Sequence, residues 1–340
     1  MKTKTILITG AAGFIGFYLC KRLIEQGHSV VGIDNINDFY DVNLKYDRLK
    51  VLGIDASDAS QWNTSSKSVS KHMDFTFIRT KIENSEDLNK IFQTYTFDVI
   101  CHLAAQVSVR SSDKRSDYYI ETNIKGFSNI LECCREYNIT RLVYASSSSV
   151  YGNAEDTPTQ EIASTDYPIS FYAATKKSNE LMAHVYSHLY KIETIGLRFF
   201  TVYGPWGRPD MALFRFTDAV LKGKSIDVFN YGNHVRDFTY IDDIIDGVER
   251  TLLHTSKNKA LYKLYNIGSS QPVELLDFIE NIEAITGIQT QRNMQPLQEG
   301  DVHQTWANVE KLKTDYGYQP RTSLKIGVDA FVKWYKSYYI

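Results

Sequence analysis

The chain has 340 residues, of which 43% are hydrophobic and 23% charged, and its formal net charge at pH 7 is −2. This length and composition predict a soluble globular protein with enough core for roughly two domains. The near-neutral charge gives no electrostatic reason to expect nucleic acid or an anionic membrane as a partner. No apolar run reaches membrane-spanning length, and the stretch after Met1 is too short for a signal peptide, so we expect a cytoplasmic location.

The four cysteines are Cys20, Cys101, Cys133 and Cys134, and each lies inside an apolar segment. Their spacing is not that of a zinc site, and cytoplasmic thiols are kept reduced. We therefore expect buried free thiols and no metal site.

The chain begins with the pattern of a dinucleotide-binding unit. An apolar strand over residues 5–9 is followed by a turn with Gly10, Gly13 and Gly16, then by a helix and a second strand that ends at Asp34. Glycines let the backbone approach a pyrophosphate, helix N-terminal amides face its charge, and the acid accepts from the adenosine ribose. The carboxylate would repel a 2′-phosphate and no arginine follows it, which favours NAD over NADP.

Residues 36–72 are less regular. The stretch 37–41 has the composition of a turn, and residues 44–52 suit a short helix. Residues 55–71 are rich in Ser, Asp and Lys, so we predict a surface insertion there and assign it no chemistry.

From residue 75 onward, strand and helix alternate. The predicted elements are strands over 75–78, 97–103 and 141–145, and helices over 83–95 and 117–137. Such alternation predicts an α/β fold, a doubly wound parallel sheet of the Rossmann type, with its ligand crevice beyond the carboxyl ends of the strands. Gly10, Asp34, Ala104 and Ser147 all fall at such ends.

Tyr172 and Lys176 are four residues apart in a predicted helix, so their side chains share one face about one turn apart. A phenol is a poor base at its usual pKa of about 10, and a neighbouring ammonium favours the phenolate. A hydroxyl from the serine run 146–149, at a strand end, would hold a substrate hydroxyl against the phenolate oxygen. The pattern predicts proton removal from an alcohol.

A stiff loop follows the predicted strand 193–200. It contains two prolines, two glycines and a tryptophan between residues 202 and 209. Arg208 has the fork geometry for two parallel bonds to a carboxylate or phosphate, with Thr201 as a supporting donor. An arginine simply exposed on a loop is the alternative.

No linker rich in Gly, Ser or Pro separates the two halves of the chain. We divide it into an NAD-binding domain, residues 1–190, and a smaller mixed α/β substrate-binding lobe, residues 201–340. The segments near 193–200, 240–254 and 262–268 are expected to return to the first domain.

These motifs resemble a known family over essentially the whole chain. The glycine turn, Ser147, the Tyr172 and Lys176 pair, and Arg236-Asp237 resemble the extended short-chain dehydrogenase/reductases, specifically the nucleotide-sugar epimerases. The closest resemblance is to the UDP-glucuronate 4-epimerases. It is carried by Asn37-Asp38-Phe39-Tyr40-Asp41, Leu103-Ala104-Ala105-Gln106-x-x-x-Arg110, Tyr203-Gly204-Pro205-Trp206-Gly207-Arg208-Pro209-Asp210-Met211 and Gly300-Asp301-Val302.

The resemblance implies an NAD that stays bound and is recycled. Tyr172 as phenolate would take the proton of the sugar 4-hydroxyl while the C4 hydride passes to the nicotinamide. Ser147 would orient that hydroxyl, and Lys176 would hold the ribose and lower the pKa of Tyr172. The 4-keto sugar would then turn over and take the hydride back on its other face. UDP-glucuronate and UDP-galacturonate would thus interconvert, for use in polysaccharide biosynthesis.

The resemblance also implies the remaining site residues. Arg236 would bind the diphosphate, Asp301 the uridine ribose and backbone near Phe229 the uracil, while Thr201 and Arg208 would receive the carboxylate. The implied cofactor-binding set is Gly10, Gly13, Phe14, Ile15, Gly16, Asp34, Asn35, Lys81, Ile82, Leu103, Ala104, Ala105, Gln106, Asn123, Tyr172 and Lys176. The implied substrate-binding set is Arg110, Ser147, Ser148, Thr201, Arg208, Ala212, Phe229, Arg236 and Asp301. A homodimer paired through two helices is implied as well.

Two details depart from the family pattern. Lys81 stands where the family usually has an acid that meets the adenine, which leaves that contact unassigned. Ser147, Ser148 and Ser149 are all candidates for the hydroxyl nearest the sugar, and the spacing favours Ser147.

Three other functions remain open at this stage. A 4-epimerase of neutral UDP-hexoses, glucose or N-acetylglucosamine, would not need Arg208. A sugar dehydratase would want an acid pair where Ser148 and Ser149 stand. A non-catalytic NAD-binding regulatory protein could dispense with Tyr172 and Lys176.

Overall fold

The structure is a computed structural model, and it describes residues 2–70, 72–108, 112, 115–154, 156–298 and 302–340. The strands in these ranges are β1 (Thr5–Thr9), β2 (Ser29–Asp34), β3 (Ser65–Lys67), β4 (Phe75–Arg79), β5 (Val99–His102), β6 (Arg141–Ser147), β7 (Glu193–Phe199), β8 (Thr201–Tyr203), β9 (Ile226–Val228), β10 (Val235–Tyr240), β11 (Tyr262–Ile267), β12 (Pro272–Glu274) and β13 (Arg292–Met294).

The helices in the same ranges are α1 (Phe14–Glu25), α2 (Asn43–Val51), α3 (Ala56–Ala59), α4 (Ser85–Thr94), α5 (Ser116–Tyr119), α6 (Phe127–Glu136), α7 (Phe171–Tyr190), α8 (Ala212–Leu221), α9 (Ile241–Leu253), α10 (Leu275–Thr286), α11 (Glu310–Tyr316) and α12 (Leu324–Tyr339). A π-helical segment, Ile120–Gly126, joins α5 to α6, and Ser148–Tyr151 and Phe229–Gly232 are short 3₁₀ turns. No helix of the described ranges is both long and apolar enough to cross a bilayer.

The central sheet has eight strands in the order β11-β7-β6-β5-β1-β2-β4-β3. All neighbours are parallel except β3, which runs antiparallel to β4. The predicted doubly wound parallel sheet is therefore confirmed. The winding reverses at β1, because β2 and β4 lie on one side of it and β5, β6 and β7 on the other. Such a reversal opens a crevice at the carboxyl ends of the strands, where ligands bind.

The sheet is buried on both faces, as parallel sheets are. In β1, Ile6 and Ile8 pack into one core while Leu7 between them packs into the other. The first core includes residues of α1 and α9, and the second includes residues of α4 and α6. The four cysteines are buried and free, as the sequence predicts.

The later part of the chain builds a smaller sheet, β12-β10-β8, and a two-stranded sheet, β13-β9. These strands share a third core with residues of α8, α10 and α12. Phe238 of β10 and Phe278 of α10 stack there, with ring centroids 4.1 Å apart. Strand β8 begins two residues after β7 ends, so the large sheet leads directly into the smaller one.

Two segments differ from the sequence-based expectation. Up to residue 70, the predicted surface insertion contains α3 and the edge strand β3, whose Ser66 pairs with Phe77. Polar and partly exposed residues suit such an edge strand, which explains why the pattern resembled a loop. The helix predicted over 117–137 is interrupted by the π-helical segment, a local change of winding that periodicity does not reveal.

Candidate active site

A cavity of about 1020 Å³ lies at the carboxyl ends of the central strands and extends into the smaller lobe. Among the described residues, every member of the two predicted site sets lines it except Lys81 and Asn123. Arg110 and Asp301 lie outside the described residues. Six strand ends of the large sheet thus converge on one space, as the winding of the sheet requires.

The glycine turn is packed too tightly against neighbouring backbone to accept side chains. Gly10 has a φ of +74°, and a Cβ on it would lie 2.9 Å from the amide nitrogen of Ala104. A Cβ on Gly16 would lie 2.0 Å from the carbonyl oxygen of Gly10. Helix α1 begins after Gly13 with no side-chain cap, so its first amides point at the cavity as an anion site. The turn therefore fits the pyrophosphate of NAD.

Asp34 ends β2 with its carboxylate held in place. Oδ2 accepts from the amide of Ala12 at 3.2 Å, and Oδ1 accepts from the amide of Ile36 at 2.8 Å. The remaining acceptor capacity suits a ribose hydroxyl. The sequence reasoning missed Lys45, whose buried ammonium lies 4.0 Å from Asp34 and donates to Asn37 at 2.7 Å. One lysine in a short polar helix carries no sequence signal.

Asn123 does not face the cavity. Its side chain accepts from the amide of Gln106 at 2.8 Å and donates to the Gln106 carbonyl at 3.0 Å. It also donates to the Thr175 hydroxyl at 3.0 Å, while its own carbonyl accepts from Asn179 at 2.6 Å. The residue therefore fixes the Gln106 backbone at the cavity wall.

Lys81 also lies away from the cavity, although its neighbours line it. Its ammonium is 5.9 Å from the ring centroid of Trp62. Thr80 and Ile82, on either side of Lys81, line the cavity.

The catalytic candidates share one end of the cavity. Lys176 is 2% exposed, and its ammonium donates to the carbonyl of Ala145 at 2.8 Å. The same ammonium lies 5.9 Å from the ring centroid of Tyr172. Burial lowers the pKa of Lys176 to about 8. Helix α7 begins at Phe171, capped by the Ser170 hydroxyl at 3.2 Å from the amide of Ala173, and this cap sets the position of the first turn.

Of the three candidate serines, Ser147 is the one hydrogen-bonded to the phenol. It ends β6, and its hydroxyl bonds with Tyr172. The Ser147 oxygen also accepts from the amide and the hydroxyl of Ser149, at 3.2 and 2.9 Å. Ser149 thus holds Ser147 in place, while Ser148 lines the cavity beside it.

The pKa of Tyr172 is raised, chiefly by burial, and the Ser147 hydrogen bond and the Arg208 charge oppose that rise. The Lys176 ammonium is directed to the Ala145 carbonyl.

Arg208 reaches the same end of the cavity from the loop between β8 and α8. It forms a two-bond ion pair with Asp210, and its guanidinium carbon lies 5.7 Å from the Phe39 ring centroid. Burial lowers the pKa of Arg208, but Asp210 outweighs this and the net shift is upward. The guanidinium therefore stays charged beside the phenol. Sequence reasoning gave Asp210 no role.

The other end of the cavity is lined by Phe229 and Arg236. The Arg236 guanidinium donates to the carbonyls of Val302 and His303, at 2.6 and 2.9 Å. These bonds fix the side chain at the start of β10. A cation held in this way suits a diphosphate.

Comparison with known proteins agrees with this geometry. Residues 6–268 match the model of the NAD dependent epimerase/dehydratase family. The chain is 50% identical to Protein CapI of Staphylococcus aureus, over 98% of this chain and 99% of that protein. It is 41% identical to a probable UDP-glucuronate 4-epimerase of Rhizobium meliloti, over 98% and 97% of the two chains.

A solved structure with the same fold is the UDP-glucuronic acid 4-epimerase of Bacillus cereus, in complex with UDP-glucuronic acid and NAD. It is 36% identical to this chain and superposes on it with a TM-score of 0.88. The superposition covers 98% of this chain and 100% of that one. The similarity spans both the large sheet and the smaller lobe.

Proposed function

We propose that this chain, which belongs to the NAD dependent epimerase/dehydratase family, interconverts UDP-glucuronate and UDP-galacturonate by inverting C4 of the sugar. The observation that carries the proposal is the charge of Arg208 beside the Tyr172 phenol in one cavity. A uronate needs a cation at its carboxylate and a base at its 4-hydroxyl. Relatives named as UDP-glucuronate 4-epimerases support the same substrate.

Tyr172 is the proposed base. As phenolate it takes the proton of the 4-hydroxyl, and as phenol it returns a proton when the sugar is reduced on its other face. Ser147, bonded to the phenol, orients the hydroxyl, and Lys176 holds the cofactor ribose. NAD, when bound, accepts the C4 hydride and gives it back, so no net redox change occurs.

The proposed carboxylate site consists of Thr201, Arg208 and Ser148, which line the cavity near Tyr172. The 4-keto uronate is a β-keto acid and is prone to lose carbon dioxide. A carboxylate held by fixed donors cannot reach the alignment that this cleavage needs. The proposed clamp therefore selects the substrate and also protects it.

At the other end of the cavity, we assign Arg236 to the diphosphate, the backbone near Phe229 to the uracil and Ala212 to the sugar wall. Arg110 and Asp301 are proposed substrate residues by family resemblance alone. We also propose the division into an NAD-binding domain, 1–190, and a sugar-nucleotide lobe, 201–340, with returning segments.

We also propose a homodimer paired through α7. Leu181, Val185 and Leu189 lie at intervals of four on this helix and are 57%, 47% and 58% exposed. Such a stripe suits an interface between helices. A cytoplasmic location is proposed from the sequence, and polysaccharide biosynthesis is the proposed use of the product.

A 4-epimerase of neutral UDP-hexoses is the second candidate. It is favoured by one observation, namely that Asp210 already balances the Arg208 charge, so a neutral sugar would not leave a buried cation unpaired. Purified protein incubated separately with UDP-glucuronate, UDP-glucose and UDP-N-acetylglucosamine, followed by NMR of the 4-epimers, tests both. Epimerisation of the uronate is expected, and conversion of a neutral sugar alone would reject the first proposal.

A further inference from the structure

Asp210 holds the Arg208 guanidinium along one edge. Nε of Arg208 donates to Oδ1 of Asp210 at 3.0 Å, and Nη2 donates to Oδ2 at 2.5 Å. Both side chains line the cavity, at 21% and 36% exposure. Only Pro209 separates the two residues, so the stiff loop itself sets their relative position.

A guanidinium offers two pairs of parallel N–H donors, or forks, to planar anions. The side-on fork uses Nε and Nη2, and the end-on fork uses Nη1 and the second hydrogen of Nη2. Asp210 takes the side-on fork completely. Within the described ranges, no hydrogen bond involves Nη1 of Arg208. The end-on fork is thus the edge that remains for a second carboxylate.

Two further contacts restrict the guanidinium. The Phe39 ring lies beneath it at 5.7 Å, which limits rotation out of its plane. The positive charge acts on the Tyr172 phenol, so the guanidinium lies near the end of the cavity where the proton is transferred. A carboxylate on the end-on fork would therefore belong to the same sugar that meets the phenol.

We infer that Asp210 is a positioning residue that directs the end-on fork of Arg208 to the sugar carboxylate. The inference rests on the proposed function and deepens it, because it adds a residue that determines uronate specificity. Asp210 accepts both bonds from Arg208, so it acts on the sugar through that guanidinium. Its effect reaches the substrate through the plane of the guanidinium.

The orientation of the carboxylate on the guanidinium has a chemical consequence for the 4-keto uronate. Loss of carbon dioxide breaks the C5–C6 bond, leaves its electron pair as the enolate of the C4 ketone, and ends with a solvent proton on C5. The product is a UDP-4-keto-pentose. A carboxylate on a guanidinium that can swing has more access to the alignment for this cleavage than one on a fixed guanidinium. Release of carbon dioxide therefore reports on orientation, which a purely structural role would not change.

The test uses two variants of the holoenzyme, Asp210→Asn and Asp210→Ala. The amide keeps one acceptor for Nε but sets a donor against Nη2, and alanine removes both acceptors. Asp329→Asn is the matched control, because Asp329 pairs with Lys333 on the exposed face of α12 at 40% exposure. Readouts are the KM for UDP-glucuronate, carbon dioxide released from substrate labelled at C6, and the Kd for UDP, which lacks the sugar.

Both Asp210 variants are expected to raise the KM for UDP-glucuronate roughly tenfold, the effect of losing one charge-assisted hydrogen bond. Released carbon dioxide should rise above the wild-type level, most in the alanine variant, while the Kd for UDP stays within about twofold. A KM that stays unchanged or falls, without extra carbon dioxide, would overturn the inference alone. Wild-type protein that does not epimerise UDP-glucuronate would overturn the proposed function and this inference together.

Discussion

Arg48 donates to the carbonyl of Trp206 at 2.6 Å and thereby ties α2 to the loop that carries Arg208. The same guanidinium donates to the carbonyl of Ala12 in the glycine turn at 2.8 Å and to the Tyr40 hydroxyl at 2.7 Å. Arg48 is fully buried. One side chain therefore joins the glycine turn to the loop of the proposed carboxylate site.

Replacing Arg48 by lysine should damage both loops at once. An ammonium cannot span carbonyls that the guanidinium fork reaches together, so at least one buried carbonyl loses its donor. We expect a loss of about 2–3 kcal/mol in the free energy of unfolding, measured in urea, and a higher KM for UDP-glucuronate. Arg135→Lys, on the exposed face of α6, is the control. Unfolding within about 0.5 kcal/mol of the wild type would show that the bridge contributes little.

Replacing Tyr172 by phenylalanine should remove the proton acceptor and leave the fold. The ring keeps its packing against Tyr119, whose centroid is 6.3 Å away, while Ser147 retains its bonds to Ser149. We expect kcat to fall about a thousandfold, the scale of a lost general base, with the Kd for UDP-glucuronate nearly unchanged. Tyr118→Phe, at 49% exposure, is the control. Retention of more than about a tenth of the wild-type kcat would assign the base elsewhere.

Replacing Arg208 by alanine tests the carboxylate clamp. The change removes the charge that acts on Tyr172 and leaves Asp210 as an unpaired acid on the cavity wall. We expect weaker binding of UDP-glucuronate and the appearance of a pentose by-product, both measurable by NMR. Arg215→Ala is the matched control, since Arg215 lines the same cavity but carries no assigned role. Unchanged kinetics and no by-product would remove the clamp from the mechanism.

Introducing a charge into the exposed stripe of α7 tests the homodimer. Val185→Glu should give a monomer by light scattering coupled to size-exclusion chromatography, because an interface cannot bury an unpaired carboxylate. The same change at Ile326, 63% exposed on α12, should leave the assembly intact. A wild-type protein that is already monomeric at working concentrations would reject the proposal.

The large sheet could be predicted because its strands are short apolar runs in the sequence. Apolar runs such as 97–103 alternate with amphipathic helices, and a doubly wound sheet brings Gly10, Asp34 and Ser147 to the carboxyl ends of its strands. The orientation of side chains was not predictable in the same way. Asn123, in the π-helical segment, bonds with the Gln106 backbone and does not line the cavity.

Hydrogen-bond partners that are distant in the sequence could not be predicted either. Lys176 is directed to a backbone carbonyl of β6, and Arg48 bridges residues 36 and 158 positions away. The local sequence composition does not indicate any of these bonds. The strand pairing of the smaller lobe could not be predicted for the same reason. Its short strands pair with partners that are distant in the sequence, as β10 does with β8.

The buried ammonium of Lys176 should make stability depend on pH. Its pKa is about 8 in the folded chain, whereas an unfolded lysine has its ordinary value of 10.5. Between these values the unfolded state binds more protons than the folded state, so stability rises with pH. Below about pH 8 both states are charged, and the cost of burying the ammonium is fully present.

Lys176→Met removes this contribution while keeping most of the side-chain volume. The free energy of unfolding of the wild type, minus that of the variant, should increase from pH 7.5 to pH 10 by up to about 3 kcal/mol. Taking the difference cancels the titration of groups that both proteins share. Lys177→Met, one residue along α7 and bonded to Thr165, is the control for removing a lysine from this helix. A flat difference for Lys176→Met would mean that this ammonium keeps its ordinary pKa in the folded protein.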